Sequence, residues 1–248
     1  MKFIVLCILV VGNLFGVITI APAKIGDKPG FSGVLKGSLE TKRGNSDVDN
    51  YSAGLRAKYD SNTSYLLWSD FTFSYGKASG EINTNKTYAH VRYLHTFFDI
   101  SSLNYEAFVQ SETNEFTNVA DRLLLGGGLR YNADLKEYGN VFIGLGGFYE
   151  NIRYLTLNDP KEKNSRLNSY ISYTKSFDKD SKLSYVLYYQ PKLEEVSDYI
   201  FSNGFELQVL IYESFYLNFV LYYDIDSKPA FDVKESDFTQ KTSFIYKF

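Results

Sequence analysis

The chain has 248 residues, 44% hydrophobic and 17% aromatic, with 26 basic and 29 acidic side chains and a net charge of -3. That balance offers no basic excess for nucleic acid. One cysteine excludes disulfide stapling, and beyond the N-terminus no apolar stretch reaches the ~20 residues of a membrane-spanning helix.

The first segment reads as an export signal. Lys2 precedes an apolar run from Phe3 to Ile20, and Ala21-Pro22-Ala23 is a small-residue cleavage site. A cleaved signal peptide over residues 1–23 is therefore expected, with a short periplasmic extension over 24–30. Cys7 lies inside the signal, and Ile4-Val5-Leu6 lacks the small residue that precedes a lipoprotein cysteine. The exported chain would keep 25 basic and 29 acidic residues, since Lys2 is the signal's only charge.

From residue 31 onward the sequence repeats one unit: about ten residues alternating apolar and polar, then a turn. Period-two alternation means one apolar face and one wet face. Twelve strands are predicted over 31–42, 47–59, 63–76, 86–98, 103–112, 120–131, 138–150, 164–177, 181–190, 199–212, 215–224 and 237–248. The parity is plain in strand ten, where Phe201, Phe205, Leu207, Val209 and Ile211 share one face. Ser202, Gly204, Glu206 and Gln208 take the other.

The connections also alternate. Asp60-Ser61-Asn62, 99–102, 178–180 and Glu213-Ser214 are tight, while 77–85, 113–119, 151–163, 191–198 and 225–236 are longer and polar. Short periplasmic turns and longer external loops are the pattern of outer-membrane barrels, and Greek-key sandwiches follow no such rule. Pro160, Pro191 and Pro229 fall in the proposed external loops, so no proline interrupts a predicted strand. The expectation is an all-β fold: a closed, up-and-down antiparallel transmembrane β-barrel of about 12 strands in the outer membrane of a Gram-negative bacterium. Closure follows because lipid offers no partner to an open sheet edge.

The chain alternates to its last residue, Phe244-Ile245-Tyr246-Lys247-Phe248. This resembles the C-terminal signal that delivers outer-membrane barrels to their assembly machinery, with Phe248 as the terminal aromatic. The first hairpin, Gly33-Val-Leu-Lys-Gly-Ser-Leu-Glu-Thr-Lys-Arg-Gly-Asn-Ser-Asp47, resembles the N-terminal segment of the bacterial family of salt-induced outer membrane proteins. Asp121-Arg-Leu-Leu-Leu-Gly-Gly-Gly-Leu-Arg-Tyr131 is similar to that family's central strand. The resemblance implies fold and location and assigns no catalytic residue.

Candidate chemistry is sparse. By parity Lys36, Glu40, Arg56, Arg92, Glu106, Arg130 and Glu206 face the lumen, joined by Lys58, Arg122 and Glu150. Mixed signs there fit a salt-bridged polar core or the lining of a narrow pore. An arginine row of Arg56, Arg92 and Arg130 would favour anions if the three shared one height. His90 falls on the inward parity and His95 on the outward one. A lipid-acting hydrolase using His90 is the alternative function, although no serine motif stands beside it. Gly126, Gly128, Gly144 and Gly146 share the inward parity of strands six and seven, which marks strong curvature or room for a bulky neighbour. Acidic residues around Asp224–Asp237 match no calcium-loop pattern. No catalytic, cofactor or metal site is expected. The expected surroundings are outer-membrane lipid and lipopolysaccharide, with small-solute passage as the channel-like role and envelope support as the structural one.

Overall fold

The computed structural model describes residues 23–42, 48–98, 100–156, 160–177 and 181–248. The expected signal up to Pro22 and the first external link, 43–47, lie outside the described residues, as does the side chain of Glu40. Twelve antiparallel strands run in order: β1 Gly30–Lys42, β2 Val48–Asp60, β3 Tyr65–Ala78, β4 Glu81–Phe97, β5 Ile100–Asn114, β6 Val119–Asp134. The second half comprises β7 Asn140–Tyr154, β8 Glu162–Phe177, β9 Ser181–Pro191, β10 Tyr199–Tyr212, β11 Phe215–Asp226 and β12 Ser236–Lys247. Each strand pairs with its neighbours in sequence, and β1 pairs with β12, so the sheet closes into a barrel.

Alternation decides which face is which. Along the strands, inward positions carry even numbers from Ser32 in β1 to Asp224 in β11, apart from Val119 at a register shift. They become odd in β12, where Ser243 and Ile245 are buried. The outward set is apolar: Leu35, Leu55, Phe71, Val109, Leu125, Leu145 and Ile171 are all exposed. Such a belt is what hydrocarbon requires. Below it, rings join edge to edge at the end that carries the chain termini. Tyr59, Tyr65, Tyr93 and Tyr105 stand with successive centroids 5.9, 5.9 and 6.3 Å apart. Phe215 and Tyr246 continue the girdle at 5.1 Å. Amphipathic tyrosines suit the headgroup boundary.

The predicted external link 77–85 is a correction. β3 and β4 run on to Ala78 and Glu81, and only Ser79 and Gly80 turn, both with positive φ (51° and 87°). That is the left-handed geometry of a two-residue hairpin. Similarly, 113–119 shrinks to 115–118. Among the links with described residues, the long ones lie at 155–161, 192–198 and 227–235, all in the C-terminal half. Pro191 lies inside the sheet after all, as the last residue of β9 opposite Tyr199. A strand end tolerates proline because its missing N–H leaves a single gap in the ladder.

Closure is uneven. β1 and β2 pair over thirteen positions, Gly30↔Asp60 to Lys42↔Val48. β1 and β12 pair only from Val34↔Lys247 to Gly37↔Phe244. Two further bonds between Gly33 and Phe248, 3.0 and 3.2 Å, extend the seam to the last residue. Beyond Gly37 the strands part around a cavity of about 540 Å³ lined by Ser38, Leu39, Thr242 and Phe244.

Candidate functional site: the lumen

The barrel interior divides into two vestibules and a waist. The external vestibule, about 300 Å³, is lined by nine carboxylates and five cations, among them Glu112, Arg122, Glu150, Arg166 and Asp224. The vestibule at the termini, about 500 Å³, is lined by seven cations and two carboxylates, Asp27 and Glu206. The mouths thus carry opposite charge.

Between them the waist is packed by inward side chains. Arg92 is its centre, with its guanidinium 5.6 Å from the Trp68 ring and 5.0 Å from the Phe108 ring. Its Nη1 faces Glu106 at 3.5 Å, and the Tyr170 hydroxyl donates to the same carboxylate at 3.0 Å. Cation–π and ionic contacts gain strength in this water-poor setting. Tyr88 and Tyr188 complete the layer, both buried.

His90 is part of that packing. It stacks between Tyr88 (6.2 Å) and Phe108 (5.8 Å). Its Nε2 accepts from Arg92 Nε at 3.2 Å, leaving Nδ1–H to donate to Gln110 Oε1 at 3.3 Å. Both nitrogens are engaged, and neither contacts a serine hydroxyl among the described residues. A nucleophile–base pair needs that contact. His95 faces outward and stacks on Tyr105 at 5.2 Å, joining the tyrosine girdle.

The other lumenal charges are mostly paired. Glu150 accepts from Arg122 Nε at 2.6 Å and from Arg166 Nε at 3.0 Å, and Arg166 reaches on to Asp198 of the 192–198 link at 2.8 Å. Lys36 meets Glu206 at 3.3 Å. Arg56 grips Asp70 through two nitrogens, 2.6 and 3.1 Å. Arg130, fully buried, lies 5.1 Å from the Phe142 ring and donates to the Ala23 carbonyl at 2.7 Å. Arg56, Arg92 and Arg130 therefore have three separate settings and form no open arginine row. Among the described residues no three His, Cys, Asp or Glu side chains gather as a metal site.

Sequence reasoning missed the segment that enters the mouth. Residues 23–29 fold inward as a strap, and Ala23 and Ile25 pack against Leu66, Trp68, Tyr88 and Leu94. Asp60, 1% exposed, anchors it by accepting N–H bonds from Gly26 and Lys28 at 3.0 and 3.4 Å. Lys24 reaches Asp134 at 2.8 Å. Asp60 reads in sequence as an ordinary turn residue; only the fold brings residue 26 beside it.

The fold is that of outer-membrane barrels. The chain is similar to the NanC porin at 11% identity, covering 87% of this chain and 98% of that one, with a TM-score of 0.55. It is similar to the KdgM porin at 12% identity, 88% and 99% coverage and a TM-score of 0.50. The translocator domain of autotransporter NalP from Neisseria meningitidis matches at 10% identity, 90% of both chains and a TM-score of 0.51. No curated protein matches the sequence. The family model described as "Protein of unknown function, DUF481" matches residues 37–248. The chain therefore belongs to that family, the salt-induced outer membrane proteins.

Proposed function

We propose that the protein is a narrow outer-membrane channel for small solutes, closed at rest by its own side chains. The observation that carries this reading is the arrangement of two vestibules meeting at a waist. What separates them is a layer of side chains from the wall, Arg92, Glu106, Tyr88, Tyr170 and Tyr188, and side chains change rotamer far more readily than a barrel wall deforms. The channel-like fold of the porin neighbours supports the same reading.

The test is conductance in planar bilayers. The wild type should show small, infrequent openings, and Tyr88→Ala with Tyr170→Ala should raise the open conductance several-fold. A flat trace for both proteins at high load would exclude the channel. The completeness of the ion-paired waist favours a second reading, a passive barrel that supports the envelope, and that reading predicts the flat traces.

Export by a signal cleaved after Ala23, which would leave the strap starting at Lys24 and end the contact of Arg130 with the Ala23 carbonyl, belongs to the same proposal. So do assembly in a lipid and lipopolysaccharide outer membrane of a Gram-negative cell and recognition of Phe248 by the assembly machinery. Removing Phe248 should sharply lower the heat-modifiable, folded fraction in cells; unchanged assembly would count against that role.

A further inference from the structure

We propose that the vestibule at the termini is a binding site for a small oxyanion, a carboxylate or phosphate group, held chiefly by Lys58 and Lys182. This goes beyond the channel reading and does not rest on it, because equilibrium binding needs no open waist.

Seven cations and two carboxylates line this cavity. Much of the positive charge is already satisfied: Lys36 pairs with Glu206, and Lys24 with Asp134. Arg56 is held by Asp70. Lys58 and Lys182 differ. Among the described residues neither has a carboxylate within ion-pair distance, yet both are only partly exposed and both line the cavity. A cavity walled by low-dielectric protein concentrates the field of such a set and raises the local anion concentration.

Two further observations point to an anion. Besides Glu206, the carboxylate that lines this cavity with Lys58 and Lys182 is Asp27, carried by the strap. Among the described residues it forms no ion pair with either lysine, so it is a nearby counter-charge that leaves both ammonium groups open to a ligand. At the inner end the lining passes to Phe142, with the buried Arg130 guanidinium 5.1 Å from its ring. That positive charge behind the wall adds to the field of the cavity. A cavity of about 500 Å³ accommodates a monosaccharide-sized acid.

The test uses the refolded full-length mature protein in detergent micelles, titrated calorimetrically at low ionic strength with sodium glucuronate, inorganic phosphate and glucose. The sole tryptophan, Trp68, lines the same vestibule, so its fluorescence gives a second readout. Saturable binding of glucuronate, phosphate or both, with none of glucose, is expected, and the arm that binds identifies the source of the oxyanion. Lys58→Gln with Lys182→Gln should weaken it at least tenfold, while Lys182→Arg retains it. Asp27→Asn, which removes the internal competitor, should tighten it a few-fold. Heat-modifiable gel migration confirms that each variant is folded. Absence of saturable binding by either anion, equal binding of glucose, or undiminished affinity in the double lysine variant would overturn the proposal.

Discussion

The ring of Tyr170 occupies the space that a side chain at Gly144 would need. The two residues face each other across the β7–β8 ladder, and a Cβ placed on Gly144 would lie 2.0 Å from Tyr170 Cε1. A ring laid over a facing glycine is a known way of stabilising a strand that lacks a side chain. Here it also places the Tyr170 hydroxyl on Glu106, sixty-four residues earlier in the chain.

Gly144→Ala should therefore push the Tyr170 ring off Glu106 and cost about 1–3 kcal/mol, the usual price of overpacking. Gly37, with nothing within 4 Å of its Cβ position, is the control. Gly37→Ala should stay within about 0.5 kcal/mol. Urea unfolding in liposomes would compare them, and equal effects would refute the steric account.

Glu150 holds two arginines at once, with its side chain 2% exposed. Glu150→Gln leaves Arg122 and Arg166 without their shared counter-charge, and loss of one buried partner costs about 3–5 kcal/mol. Arg166→Met should loosen the Asp198 end of the 192–198 link as well, since Arg166 ties Asp198 to the wall while Leu193 stays bonded to the Ser165 carbonyl. Unfolding midpoints would show the first effect, and faster proteolysis of 192–198 the second.

The strap depends on Asp60. Asp60→Asn weakens the acceptor of the Gly26 and Lys28 N–H groups and should expose the Gly26–Asp27 bond to an Asp-directed endoproteinase several-fold faster. Mass spectrometry of a short digest reads this directly. Unchanged cleavage would mean that the Leu66–Trp68–Leu94 contacts alone hold the strap.

The β1–β12 seam should be the first part of the barrel to open. Seam-facing amides of Ser38–Thr41 and Gln240–Ser243 lack ladder partners, whereas β2 and β3 pair from Val48↔Ala78 to Asp60↔Leu66. Hydrogen exchange should be fastest at those seam amides and slow across β2–β3. Uniform protection would show that the seam closes in the membrane.

Much of the architecture was legible because period-two alternation is enforced residue by residue. Leu35, Leu55 and Leu125 had to meet lipid, and Arg92, Glu106 and Glu206 could not. The hairpin at Ser79-Gly80 was not legible. Polar residues such as Asn83, Thr84 and Asn85 resemble a loop, yet a strand that rises past the membrane boundary needs hydrogen bonds and no apolar face.

The sequence alone determined twelve segments, their inward and outward faces and an outer-membrane setting, since each follows from local alternation and from lipid's refusal of unpaired backbone. Who meets whom inside was decided only by the tertiary structure. Arg92 beside Glu106, Tyr170 over Gly144 and Asp60 under the strap depend on strand register and on closure of the whole ladder. Those are global quantities, because the register at any one point reflects every hairpin around the barrel.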